Sequence, residues 1–300
     1  MKLTVHYQLK KELFWMNEIK KVAAIQDISG IGRCSLTVII PILSAMGIQV
    51  CPVTTSVLSA HTGFGEFVMR DLTDYMQPAL EHYKKLGVEF DCIYSGFLGS
   101  LEQIDHCLEY FDTYKNALKI VDPVMGDDGK AYKTYTGELC RRMGELVAVA
   151  DIITPNLTEA AILLGEEYPT APMRRSEIKS WLVRLSEKGA GIVVITSVVL
   201  TDGGIATVGY DKKTSSFWMI KNDYVPKSYS GSGDMFASVL AGGILNGDSL
   251  PIAMNRAASF TELSINTTYS YGSSWEDGIM FERQLPWLMS YQVLDDFVSF

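Results

Sequence analysis

Three hundred residues with 47% hydrophobic content can build one extended α/β core, and no segment approaches the length of a membrane span. A net charge of −9 argues against a nucleic-acid groove or an anionic membrane surface as partner. Five scattered cysteines, an odd number without Cys-x-x-Cys, suit no disulfide framework and fit a reducing cytoplasm; the four histidines lack metal-ligand spacing.

Residues 1–15 mix Lys10, Lys11 and Glu12 with isolated apolar residues and lack the unbroken apolar stretch of a secretory signal. They are expected to be an extension upstream of a natural start near Met16, or else an amphipathic leader packed on the body. Residues 16–300 contain neither a low-complexity linker nor a repeat, so they read as a single domain. An apolar strand over 22–25 leads into a turn-rich loop at 26–32. A buried helix over 35–46 ends at Gly47, and a strand covers 49–55. Strand, loop, helix and strand in that order make a parallel sheet. The pattern recurs in strands over 90–94, 117–121, 151–153 and 192–195, separated by helices such as 101–115, 136–148 and 174–188. Residues 204–210 and 216–220 flank a polar turn and form an antiparallel hairpin.

Several of these strands run into polar, glycine-rich loops, and in an open parallel sheet ligands bind outside the carboxyl ends of the strands. Asp27, Asp122, Asp127, Asn156, Thr196 and Asp234 all fall on that edge. Asp122-Pro123-Val124-Met125-Gly126-Asp127 puts two carboxylates in one loop, where they either hold Mg²⁺ through water against phosphates or form a solvated turn. In Thr154-Pro155-Asn156-Leu157-Thr158-Glu159, Asn156 and Glu159 have capping-box spacing. The same geometry aims Glu159 and the Asn156 amide at the mouth of the sheet. His61 and Thr62, in a flexible segment after a strand, can hydrogen-bond a heteroaromatic ring, and Phe97 can stack on one; ordinary structural roles are the alternative.

The most informative run is Ser230-Gly231-Ser232-Gly233-Asp234, at the opening turn of a largely apolar helix that stops at Asn246-Gly247. Small residues there leave backbone N–H groups free to face an anion, and the helix dipole adds positive potential. A carboxylate beside such a hole can take a proton from a hydroxyl while the hole holds a transferred phosphoryl group, as a small-molecule kinase requires. The helix terminus is expected to lower the pKa of Asp234. A glycine turn with a capping aspartate is the structural alternative. Neither a P-loop nor the protein-kinase motif set is present.

Taken in order, Gln26, His61-Thr62-Gly63, the 122–127 and 154–159 segments, Thr196-Ser197 and Gly231-Ser232-Gly233-Asp234 resemble the ribokinase superfamily and, within it, the pyridoxal kinases. The resemblance spans about residues 22–282. It implies a three-layer α/β/α ribokinase-like fold, with a mostly parallel central sheet and helices on both faces. It also implies ATP-dependent phosphorylation of the hydroxymethyl group of pyridoxal, pyridoxine or pyridoxamine in the cytoplasm, by a homodimer using Mg²⁺ and often a monovalent cation. By the same resemblance Asp234 is the general base, and Gly231, Ser232 and Gly233 form the anion hole. Asp122, Asp127 and Glu159 manage metal and phosphate charge, with Asp122 also on the phosphate side. Thr154, Asn156, Thr196 and Ser197 serve the nucleotide phosphates. Asp27, His61, Thr62 and Phe97 hold the ring. Two departures stand out: Ser232 replaces the family's usual threonine, and Asp27-Ile28 replaces Ser-His after the glutamine. The second leaves ring choice open, so hydroxymethylpyrimidine kinase is the alternative, with a non-catalytic vitamin-binding protein as the third reading.

Overall fold

The computed structural model describes residues 19–132, 134–222, 229–290 and 294–300. The extension expected over residues 1–15 lies outside them. The first element, β1 (Lys21–Ser29), shows how the core is made. Val22 and Ala24 enter one apolar cluster and Ala23 and Ile25 the other, because successive strand side chains face opposite ways. The chain continues through α1 (Leu36–Ala45), β2 (Gln49–Leu58), β3 (Met69–Asp71), α2 (Thr73–Leu86), β4 (Cys92–Ser95), α3 (Leu101–Thr113) and β5 (Leu118–Val121). A small hairpin of β6 (Gly126–Asp127) and β7 (Lys130–Ala131) precedes α4 (Gly137–Val149), β8 (Ile152–Ile153), α5 (Leu157–Leu164) and α6 (Arg175–Glu187). Then come β9 (Ile192–Val199), β10 (Ile205–Asp211), β11 (Ser216–Asn222), α7 (Ser232–Leu245), α8 (Leu250–Ser270), α9 (Leu285–Leu288) and β12 (Val298–Ser299).

The ten-stranded sheet has the order β12-β11-β10-β9-β8-β5-β4-β1-β2-β3. Its run from β9 to β2 is parallel, while β3 at one end and β10 to β12 at the other are antiparallel. Helices α2 to α6 cover one face with Met76, Leu80, Ile104, Met143 and Leu182. Helices α1, α7 and α8 cover the other with Ile39, Leu43, Leu240 and Phe260. The result is the three-layer α/β fold that the family resemblance implies, around the mostly parallel sheet that the strand–helix alternation implies. Strand β1 pairs with β2 on one side and β4 on the other. The strand order therefore reverses at β1, opening a crevice at the carboxyl ends of β1 and β4.

Two details differ from the sequence reading. Strand β1 does not stop at residue 25; it runs on through Gln26 and Asp27, which were expected in a loop. The extension survives because Ile28 and Ser29 pair with Val57 and Leu58 after a register slip between Gln26 and Ile28. Asp27 thus stands at an irregularity in the ladder, a feature that re-aims side chains beside active sites. At the far edge, β12 pairs with β11 (Met219 with Val298, Trp218 with Ser299), and the Phe300 ring packs edge-on against Phe217 at 6.0 Å.

Leu240 is fully buried where α7 meets its face of the sheet. Leu240→Ala should lower the unfolding free energy by about 2–5 kcal/mol, read from urea unfolding. A loss comparable to that of an exposed position would contradict this packing.

Candidate active site

Helix α7 begins at Gly231, which holds φ 82°, ψ 0° as the residue before the first turn. Glycine is needed there twice over: a side chain would strain that dihedral, and a β-carbon would collide with the Arg33 carbonyl oxygen. Gly233 faces open space, with no atom near the position of a β-carbon. Among the described residues the N–H groups of Gly233 and Asp234 are unpaired, whereas that of Ser232 makes a long contact of 3.4 Å to the Tyr229 carbonyl. Gly231 sets the turn, and among the described residues its own N–H is unpaired as well, so Gly231, Gly233 and Asp234 present the open donors.

Asp234 accepts a hydrogen bond from the Ser35 backbone N–H through Oδ2 at 2.8 Å. Its pKa is pushed up to about 6, chiefly by burial and further by the Asp27 carboxylate, while the Ser35 N–H and the Gln26 amide oppose the rise. This corrects the expectation of a lowered value. The helix terminus favours the carboxylate, but loss of water outweighs it. A carboxylate of this kind is a better base at neutral pH than an exposed one. Beside it, Cys34 is pushed up to about 12 by burial and by Asp234 and Asp27, which leaves it a neutral thiol.

Asp27 is 5% exposed. Its Oδ1 accepts from the Ser35 hydroxyl at 2.6 Å and its Oδ2 from the Ser29 hydroxyl at 3.1 Å. Both oxygens of the residue expected at the ring are thus engaged by hydroxyls of the fold. Ser35, which the sequence reading simply placed at the start of a helix, bridges the two carboxylates.

On the phosphate side, Asp122 is buried and accepts from the Thr154 hydroxyl at 3.2 Å. Burial and the Asp234 charge hold its proton affinity well above the usual carboxylate range. Glu159 is committed at both oxygens, to the Met125 N–H at 3.1 Å and the Asn156 N–H at 2.8 Å; burial and Asp122 push its pKa up. Asn156 completes the capping box by accepting from the Glu159 N–H at 2.9 Å, and its amide donates to the Gly126 carbonyl at 2.8 Å. The pair therefore clamps α5 to the β6–β7 hairpin. Asp127 is exposed at that hairpin and accepts from the Asp128 N–H. Among the described residues no three carboxylates, histidines or cysteines are placed to hold a metal together. The expected trio of Asp122, Asp127 and Glu159 is thus not a ligand cluster, because Glu159 is spent on capping. Thr196 forms a parallel bridge with Asn156. Ser197, exposed, adopts φ 60° where β9 slips register against β10, a strained position of the sort that gathers at ligand sites.

On the other side of the crevice, the His61 ring is buried, and Nδ1 accepts from the Gly63 N–H at 3.1 Å. That fixes Nε2 as the protonated nitrogen, which donates to the Glu276 carbonyl at 2.7 Å. Both ring nitrogens are therefore engaged within the chain, the structural role that stood as the alternative to a ring contact. His61 pins the segment around Glu276 across the crevice, helped by the Arg33–Glu282 ion pair at 2.6 Å. Thr62, exposed at the start of a one-turn 3₁₀ helix (Thr62–Phe64), and half-buried Phe97, edge-on to Tyr135 at 5.8 Å, keep surfaces able to meet a ligand. Gln26 is fully buried, with its amide close enough to Asp234 to favour the carboxylate. Ser35 and the segment around Glu276 were missed by sequence reasoning, and no local signal marks them.

The profile of the phosphomethylpyrimidine kinase family matches residues 41–277. A Bacteroides thetaiotaomicron protein provisionally named a phosphomethylpyrimidine kinase, solved in an orthorhombic form with pyridoxal, is 41% identical; the match covers 94% of this chain and 100% of that one, with a TM-score of 0.89. The pyridoxal kinase of Lactobacillus plantarum is 28% identical over 91% of this chain and 97% of its own, with a TM-score of 0.83. A pyridoxal kinase of Rubrobacter xylanophilus is 28% identical over 77% of this chain and 81% of its own.

The raised pKa of Asp234 carries a stability signature. Folding favours its protonated form, so the native state gains stability below the folded value of about 6 and loses it as pH rises through the window from about 4 to 6. Asp234→Asn should therefore raise stability by about 1–3 kcal/mol at pH 8, measured by urea unfolding. The gain should shrink below pH 5. A variant less stable than the parent at pH 8 would contradict the burial argument.

Proposed function

The chain belongs to the phosphomethylpyrimidine kinase family, and from that premise we propose that it transfers the γ-phosphoryl group of ATP to the hydroxymethyl oxygen of a B6 vitamer, as pyridoxal kinases do. The observation that carries this reading is Asp234, a desolvated carboxylate with a pKa near 6, set beside unpaired N–H groups where α7 opens. Asp234 takes the proton from the hydroxymethyl group as its oxygen bonds to the γ-phosphorus. The bond to the bridging oxygen breaks, and ADP departs with that electron pair. The Gly233 and Asp234 N–H groups and the α7 dipole stabilise the transferred group's negative charge. In this reading Asn156, Thr154, Thr196 and Ser197 serve the nucleotide phosphates, and Thr62 and Phe97 the ring.

The donor set fits Mg²⁺ brought in with the nucleotide. Asp122, Asp234, Asp127 and Glu159 gather around Tyr132, whose pKa all four raise. Carboxyl groups whose ionisation is opposed by burial and by one another gain from a nearby cation. Mg²⁺ commonly needs only one or two carboxylates when water and phosphates supply the rest; Asp122 would hold it, with Asp127 reaching it through water. When bound it neutralises phosphate charge.

We propose one kinase domain for the body of the chain, and a homodimer as its assembly. Val57, Val68 and Met69 are exposed apolar residues at the β2–β3 edge of the sheet and offer a surface for self-association. Among the described residues no helix is long and apolar enough to cross a membrane.

A coupled ADP-release assay across pyridoxal, pyridoxine, pyridoxamine and hydroxymethylpyrimidine tests the reaction; turnover confined to the pyrimidine, or none, would overturn it. Asp234→Asn should cut kcat by about 10²-fold or more with ATP affinity retained. For the parent enzyme, kcat/KM should decline below pH about 6, where Asp234 takes up a proton. Chelation of divalent cations should abolish turnover, and added Mg²⁺ should restore it.

A further inference from the structure

We propose that Asp27 is a positioning residue for the phosphoryl transfer, acting through Ser35 to fix the carboxylate of Asp234. This rests on the kinase reading above, and it gives Asp27 a task other than touching the ring. Three observations lead to it. The Asp27 oxygens are buried and engaged by two hydroxyls of the fold, those of Ser35 and Ser29. Ser35 sits at φ 51°, ψ −135°, a backbone region that non-glycine residues avoid. From that conformation its N–H meets Oδ2 of Asp234 at 2.8 Å.

A residue persists in such a conformation only where its surroundings over-determine it. Here the 2.6 Å bond from the Ser35 hydroxyl to Asp27 supplies one restraint, and a charge-assisted hydrogen bond of this length is among the stronger ones a neutral hydroxyl makes. The strain at Ser35 then has a use. A backbone N–H has no rotamer freedom, so it holds one oxygen of the base and leaves the other to take the hydroxyl proton. A base positioned in advance loses less in reaching the transition state than one that must be ordered there. Asp27 lies in the sequence eight residues before Ser35, and Ser35 lies 199 residues before Asp234. The link therefore exists only in the folded chain.

Ser35→Ala removes the hydroxyl and keeps the N–H, Asp27→Asn removes the charge in an isosteric frame, and the double variant tests whether the two act together. With pyridoxal and ATP as substrates, each single variant should lower kcat about tenfold while both KM values stay within about twofold. The double variant should be no slower than the slower single, as for residues acting along one chain of contacts. Circular dichroism and urea unfolding establish that each variant is folded, and Ser35→Ala alone carries the test if Asp27→Asn does not fold. A raised KM for pyridoxal with kcat intact would overturn the proposal in favour of a direct ring contact. An unchanged kcat, or multiplied losses in the double variant, would also overturn it. Failure of the parent to consume ATP with any vitamer would sink the kinase reading instead. In that event crystal structures of parent and Ser35→Ala decide the positioning role: an Asp234 carboxylate that leaves the Ser35 N–H supports it, and an unmoved one overturns it.

Discussion

A carboxylate kept from water at the start of a helix governs the rest of this molecule. Burial opposes the charge on Asp234, while the α7 dipole and the Ser35 N–H favour it, and burial prevails. That balance requires a dry crevice, and the surrounding structure maintains one. Gly231 brings the opening of α7 against the Arg33 backbone. His61 draws the Glu276 carbonyl across the opposite side. Several acidic groups stand close together, and each raises the proton affinity of its neighbours.

Much of this was legible in the sequence where the signal is local. The strands at β4, β5, β8 and β9 are short apolar runs bounded by polar loops, and each was found within a few residues. The capping box at Asn156 and Glu159 follows from a three-residue spacing and is present in full. Gly231 and Asp234 were legible because two glycines and a carboxylate crowd into the opening turn of an apolar helix, where free N–H groups gather. What stayed hidden depends on distance. The direction of the Asp234 shift could not be read from the helix terminus alone, because desolvation comes from elements far away in the chain. His61 reads as a free imidazole until its partner, 215 residues later, is known. Glu159 reads as a metal candidate until both its oxygens are seen to be occupied.

The same residues show how structural and chemical roles share one set of side chains. Asn156 and Glu159 secure α5 and the β6–β7 hairpin, and by doing so shape the wall along which phosphates would lie. Ser35 accepts an unfavourable backbone conformation, and Asp234 accepts desolvation; neither improves stability. Such local costs are typical of sites set up for chemistry, and the apolar layers on both faces of the sheet offset them.

The pairing of β12 with β11 has a practical side. Val298 and Ser299 occupy the hydrogen-bonding rim of the last long strand, Phe300 leans on Phe217, and the Lys179 ammonium lies over both rings. Without this short cover, the backbone of β11 would be a bare template for other chains. A substitution that parts Phe300 from Phe217 would therefore trade a sealed border for a sticky one.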